Sequence, residues 1–330
     1  MRSYAKLSVI LVLLLAGCGA ESSRVKIKDK TKGERKDELK DKSTAVPAAR
    51  RGNALLVSWD GVRRDVLKEM LEAGKLPNLA GVIKAGSLQD IVIRGQRTQT
   101  RPGHAKMLTG LCASQTGISA NSSPGCVPAG CTLFDRLRKA PRTGKVATIV
   151  VTGKTYVGTL FAESRASIDT YDAGSRLAEA TGPAALSALA RHRQQRFFAF
   201  VHFSDPDAAG HSSGEGSDHY LEAIVTCDRW LGLILGQLRK HGLEEKTAVY
   251  VTTDHGFDKG RRTHQDAPEI WLATSDRRVT RGGELADIPA TILSGFGLDP
   301  GKLEPPLLGK PLTGGKPAGK TTRPAKKKAA

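Results

Sequence analysis

Cysteine is scarce in this 330-residue chain: there are five, with no CxxC pair and no Cys/His cluster. A thiolate zinc site of the finger or ribbon kind is therefore excluded. No apolar run reaches the ~20 residues that a membrane span requires. The run Leu7–Ala16 near the start is too short. No internal repeat is visible, which argues against a solenoid or propeller. Acidic residues are absent from Gly309 onward, where seven Lys/Arg stand unopposed. The formal charge of +18 suggests nucleic acid only until it is located. Arg2 and Lys6 carry +2, residues 21–52 carry +5 and residues 309–330 carry +7, leaving +4 for the body. An excess confined to the ends makes nucleic acid an unexpected specific partner.

What is present begins with a targeting pattern. Arg2 and Lys6 precede the apolar run, which ends in Leu15-Ala16-Gly17-Cys18. That ending resembles the lipobox of bacterial lipoproteins. It implies a signal peptide over 1–17, lipidation of Cys18 and a location in the bacterial cell envelope, on the periplasmic or outer surface. A cleaved secretory signal is the alternative. Residues 18–52 are expected to be a charged flexible linker and 309–330 a basic disordered tail, since neither composition can bury a core. Such ends suit contact with an anionic envelope surface. Export would permit disulfides among Cys112, Cys126, Cys131 and Cys227, with a local Cys126–Cys131 bridge across Val-Pro-Ala-Gly as one option.

In the body, 53–308, five apolar runs of strand length stand out: ALLVSW (54–59), VATIVV (146–151), FFAFVHF (197–203), TAVYVTT (247–253) and EIWLAT (269–274). Continuous apolarity is the mark of strands covered on both faces. Helical stretches alternate with them, at 64–73, 105–111, 131–140, 175–192 and 217–241. The last carries an apolar stripe that Asp228 interrupts. The alternation predicts an α/β fold: one domain, a mostly parallel central sheet, helices on both faces.

Three of the runs end in metal-ligand chemistry. ALLVSW leads into Asp60-Gly61, TAVYVTT into Asp254-His255-Gly256, and FFAFVHF into SDPDAAGHSSG with Asp205, Asp207 and His211. Sites in open α/β sheets form at the carboxyl ends of strands, so these side chains should meet at one edge. Mixed Asp and His donors suit zinc or a similar divalent ion. An Asp at a strand end also serves as a helix N-cap, but three such ends in one chain point to a site. Thr100, in RTQTRPGHAKMLTG (97–110), stands where a helix begins near Gly103. It is a cap in one reading and a nucleophile activated by a cation in the other.

Together these stretches resemble the alkaline phosphatase superfamily, in particular its type I phosphodiesterase/nucleotide pyrophosphatase branch with a threonine nucleophile. The resemblance covers about 54–297 and rests on VSWDGVRRDVL, TRPGHAKMLTGLCASQTGISAN, FSDPDAAGHSSG, TTDHG and DIPATILSGFGL, in that order. It implies an alkaline-phosphatase-like fold and a two-metal hydrolase of phosphodiesters or phosphomonoesters. One cation would be held by Asp60, Thr100, Asp254 and His255. The other would be held by Asp207, His211 and His264, the last histidine in the chain. The resemblance prefers Zn2+, with Mn2+ as the alternative. Thr100 would attack phosphorus, Asn121 would contact a phosphoryl oxygen, and Lys154 would hold a second anionic group of a small-molecule phosphoester. Where some relatives carry another basic residue two positions on, this chain has Tyr156. Asp205 is expected to be a turn or supporting acid, and His104, His202 and His219 to be packing or surface residues. A sulfatase of the same superfamily is the nearest rival, although its C/S-x-P-x-R pattern is replaced here by Thr-Arg-Pro-Gly-His. A non-catalytic envelope-binding lipoprotein is the rival from another class.

Overall fold

The computed structural model describes residues 52–140 and 144–314. The expected signal peptide, Cys18, the expected linker as far as Arg51 and the chain from 315 onward lie outside the described residues.

Eight strands form one sheet: β1 Asn53–Trp59, β2 Ser87–Val92, β3 Val146–Thr152, β4 Thr170–Ala173, β5 Arg196–Phe203, β6 Thr247–Thr252, β7 Glu269–Thr274 and β8 Gly283–Glu284. Their order is β4-β3-β5-β1-β6-β7-β2-β8. The five strands from β4 to β6 run parallel, β7 is antiparallel to both of its neighbours, and β8 is parallel to β2. The helices are α1 Arg64–Glu72, α2 Pro77–Ala85, α3 Thr100–Thr109, α4 Ala113–Thr116, α5 Leu133–Lys139, α6 Thr155–Gly158, α7 Ala178–Arg191, α8 Asp205–Ser213, α9 Asp218–Lys240 and α10 Asp287–Gly295. Among the described residues, no helix is long and apolar enough to cross a membrane.

The period-2 geometry of strands explains the continuous apolar runs. Leu55, Val57 and Trp59 of β1 join one core with α1, α2, α7 and α9. Ala54 and Leu56 join the other, with α3, α5 and α10. β5 divides in the same way, Phe197, Ala199, Val201 and Phe203 against Phe198 and Phe200. Both faces are covered, so every position of β1 is buried.

Several elements escape the apolar pattern. β2 is half-polar (SLQDIV), β4 has four residues and β8 two. The segment 205–213 is helix rather than turn. The Asp205 carboxylate accepts the Ala178 N–H at 3.0 and 2.9 Å, so it satisfies a free donor in the first turn of α7. Asp228, the break in the α9 stripe, does the same for α2, accepting from Asn78 N at 3.1 Å and Leu79 N at 2.7 Å. The folded body also runs past Leu308. Leu312 is fully buried, and Lys310 N donates to Asp287 Oδ1 at 2.8 Å, so 309–314 packs where a disordered tail was expected. The four described cysteines are free thiols, and Cys126 and Cys131 are not bridged.

Candidate active site

The carboxyl ends of β1, β3, β5 and β6 converge. Asp60 follows β1 and is fully buried, as are Asp254 and His255 after β6. Asp207 and His211 lie four apart on α8, on one helix face, with His211 Nε2 3.3 Å from Asp207 Oδ1. His264 arrives on the loop after β6, with Nε2 3.1 Å from that of His211 and 3.9 Å from Asp207 Oδ1. His255 Nε2 lies 3.4 Å from Asp60 Oδ1, 3.4 Å from Asp254 Oδ2 and 4.0 Å from Asp207 Oδ1. Asp207 therefore belongs to two ligand groups, one with His211 and His264 and one with Asp60 and His255.

Two glycines permit this closeness. Gly61 has φ 72°, and a Cβ there would stand 2.8 Å from the Phe257 ring. At Gly103 a Cβ would meet the Asp254 carbonyl at 2.5 Å, so α3 can rest directly on the end of β6. That contact sets Thr100, at the first turn of α3, with Oγ1 3.3 Å from His255 Nε2.

The protonation pattern follows from the partners. Nδ1 of His255 donates to the Gly256 carbonyl at 2.9 Å, Nδ1 of His211 to Arg262 at 2.8 Å and Nδ1 of His264 to Thr98 at 2.7 Å. With Nδ1 engaged by a carbonyl, each ring turns its Nε2 inward, the arrangement that outer hydrogen bonds impose on metal-binding histidines. Opposite them, Asp60 Oδ1, Asp207 Oδ1 and Asp254 Oδ2 are buried without a hydrogen-bond partner. Lone pairs and anionic oxygens facing one another repel unless a cation lies among them, so the residues present fit divalent cations. Burial pushes His255 down to about 4. Burial, with Asp60 and Asp207 adding to it, pushes the Asp254 carboxyl well above its usual range. Burial also opposes ionisation of Asp60, but Lys154 and the His202 hydrogen bond outweigh it and hold that carboxyl well below the usual range.

Lys154 lies just past β3, with its ammonium 2.7 Å from Asp60 Oδ2 and 2.5 Å from Asp207 Oδ2. It therefore bridges one acid of each group and leaves both Oδ1 atoms free. Asn121 lies beside α3, its Oδ1 accepting from Arg101 N at 2.9 Å.

Two histidines expected to be packing or surface residues belong to the site. His202 donates from Nε2 to Asp60 Oδ2 at 2.9 Å, while its Nδ1 accepts from Gly153 N at 3.3 Å. His104 donates from Nδ1 to the Thr100 carbonyl at 2.8 Å and accepts at Nε2 from Ser58 Oγ at 3.0 Å. Burial pushes His104 down to about 3, so it is neutral. A histidine near the end of an otherwise apolar run, as in FFAFVHF, was the available signal for His202. His219, by contrast, meets Ser213 at the surface.

Comparison with known proteins follows the same lines. The family described as "Type I phosphodiesterase / nucleotide pyrophosphatase" matches residues 54–127 and 129–302. The human protein named bis(5'-adenosyl)-triphosphatase ENPP4 is 28% identical over 237 residues, 66% of this chain and 49% of that protein. The chain thus spans about half the length of that relative. An alkaline phosphatase from the Antarctic bacterium TAB5 shares the fold at TM-score 0.55 and 12% identity, over 76% of this chain and 98% of that one. A 2-O GAG sulfatase does so at TM-score 0.57 and 11% identity, over 74% and 70%.

Proposed function

The chain belongs to the type I phosphodiesterase/nucleotide pyrophosphatase family, and from that premise we propose that it is an exported two-metal hydrolase of phosphodiesters or phosphomonoesters. One observation carries the proposal. Three imidazole Nε2 atoms and three buried carboxylate oxygens without hydrogen-bond partners gather at the strand ends, with the Thr100 hydroxyl 3.3 Å from one of those imidazoles.

In this reading Asp60, Thr100, Asp254 and His255 hold one cation and Asp207, His211 and His264 hold the other, with Asp207 standing between them as a member of both ligand groups. Zinc is preferred for the three imidazoles, with manganese as the alternative. When bound, the pair would lower the pKa of a coordinated hydroxyl and neutralise charge on the phosphoryl group and the leaving oxygen. The protein's own groups do the rest. Thr100 Oγ forms a bond to phosphorus as the bond to the leaving alkoxide or phosphate breaks, giving a phospho-threonine. Water then cleaves that ester on phosphorus, releasing the phosphate product and returning the hydroxyl. The Asn121 amide would donate to a phosphoryl oxygen. Lys154 holds the Asp60 and Asp207 carboxylates in orientation and adds a positive charge to the centre. His104 fixes the Thr100 carbonyl, and with it the first turn of α3.

The N-terminal pattern adds a lipid anchor at Cys18 and a location in the bacterial cell envelope to this proposal. Sulfate ester hydrolysis is the alternative, since a sulfatase shares the fold, but it would require a nucleophile other than a threonine hydroxyl. The test is a side-by-side assay of metal-reconstituted protein on aryl phosphate monoester, phosphate diester and sulfate. Phosphoester turnover that Thr100→Ala lowers by at least ~10³-fold supports the proposal. Activity on sulfate alone, or turnover that survives Thr100→Ala, refutes it.

A further inference from the structure

Arg101 follows the proposed nucleophile directly and is 7% exposed. Its fork donates to the main-chain carbonyls of Ser123 at 2.5 Å and Gly125 at 2.5 Å, and it reaches that of Asn121 at 3.5 Å. Its own main-chain N–H donates to Asn121 Oδ1. On the other side of Thr100, the Gln99 side-chain oxygen accepts the Asn121 N–H at 3.0 Å. Ser123 Oγ closes the loop from within, accepting from Ser119 N at 3.0 Å and Ala120 N at 2.9 Å.

These bonds define the state of Asn121. Its N–H, its carbonyl and its side-chain oxygen are all tied to the residues flanking Thr100. Because Oδ1 accepts a main-chain N–H, the amide cannot flip without losing that bond, and Nδ2 is the half left to act as donor. Arg101 is a costly residue for such a purpose. Its Nε is buried without a partner, and its charge is met by carbonyl dipoles rather than by a carboxylate. Burial accordingly lowers its pKa. A planar guanidinium presents two nitrogens in a fixed fork, one to each carbonyl of the loop, whereas an ammonium offers a single nitrogen on a flexible stem.

We infer that Arg101 is a positioning residue that fixes the loop 119–125 and, through it, the donor geometry of Asn121 beside the Thr100 hydroxyl. The inference rests on the phosphoryl role proposed for Asn121. It makes the residue after the nucleophile part of the transition-state complement without touching substrate.

A double-mutant cycle tests it on the metal-loaded full-length enzyme with an aryl phosphodiester. Asn121→Ala should lower kcat/KM by about 10²–10³-fold, the usual effect of removing one such donor. Arg101→Met should lower kcat by roughly 10- to 100-fold, the effect of displacing a positioned group by up to an ångström, with KM changed less than ~3-fold. The double variant should match Asn121→Ala alone within ~3-fold, because Arg101 acts only through Asn121. Losses that multiply in the double variant would overturn the inference, as would wild-type kcat in Arg101→Met. If Arg101→Met does not fold by circular dichroism, Arg101→Lys enters the same cycle and the same criterion applies. Failure of the functional proposal would look different: Thr100→Ala would stay active, or Asn121→Ala would cost nothing.

Discussion

Cations that enter the ligand set described above should stabilise the protein, and the structure fixes how that stabilisation divides. A ligand that binds only the folded state contributes about 4.1 kcal/mol at a free concentration of 1,000 Kd. For a domain of 150–250 residues each kcal/mol moves the unfolding midpoint by about 2–4 °C, so each zinc ion bound should raise it by about 8–16 °C over chelator-treated protein. Asp207 is common to both ligand groups. Asp207→Asn should therefore remove more than half of the shift, whereas His264→Ala touches one group and should remove less. Each variant is compared with its own chelator-treated form, so any effect of the substitution on the metal-free protein cancels. Scanning calorimetry with and without zinc reads the result. A wild-type shift below ~1 °C would refute the two-cage argument. An Asp207→Asn shift equal to wild type would refute the sharing.

Two further outcomes follow from buried groups outside the ligand set. His104 has a folded pKa of about 3 against an ordinary 6.5, so the unfolded chain binds the extra proton between those values. The stability it contributes is present above pH ~6.5 and is lost as pH falls toward 3. His104→Asn should flatten the acid limb of stability by about 1.4 kcal/mol per pH unit within that window, and an unchanged slope in urea melts would refute the assignment. Asp228 accepts from Asn78 N, Asn78 Nδ2 and Leu79 N at the start of α2. Asp228→Ala should cost about 1–3 kcal/mol in denaturant melts and leave kcat unchanged, whereas a loss of turnover without a loss of stability would contradict a purely capping role.

The sheet and most of the cluster were legible because both depend on local chemistry. Buried parallel strands must read as apolar runs, and ligands at their ends must follow those runs directly, as Asp60, Asp254 and His255 do. His264 stands outside any strand and was reached only by resemblance. What the sequence did not disclose depends on partners far along the chain. Asp205 and Asp228 look like a turn acid and a flaw in a stripe until α7 and α2 arrive to be capped. Lys154 was expected to face the substrate, whereas it bridges Asp60 and Asp207, a contact that no spacing predicts. His104 and His202 gain meaning only beside Thr100 and Asp60. β2 and β8 alternate too little to announce themselves, and a two-residue strand exists only because β2 offers it an edge.

The four described thiols are unlinked, so no covalent tie spans the sheet among these residues. The ligand groups draw instead on the far ends of β1, β5 and β6, segments that only the completed fold brings side by side. A pair of cations seated there would work as a removable rivet through the molecule's three central planks. Their supply, rather than oxidation of sulfur, would then govern how long the assembled domain endures.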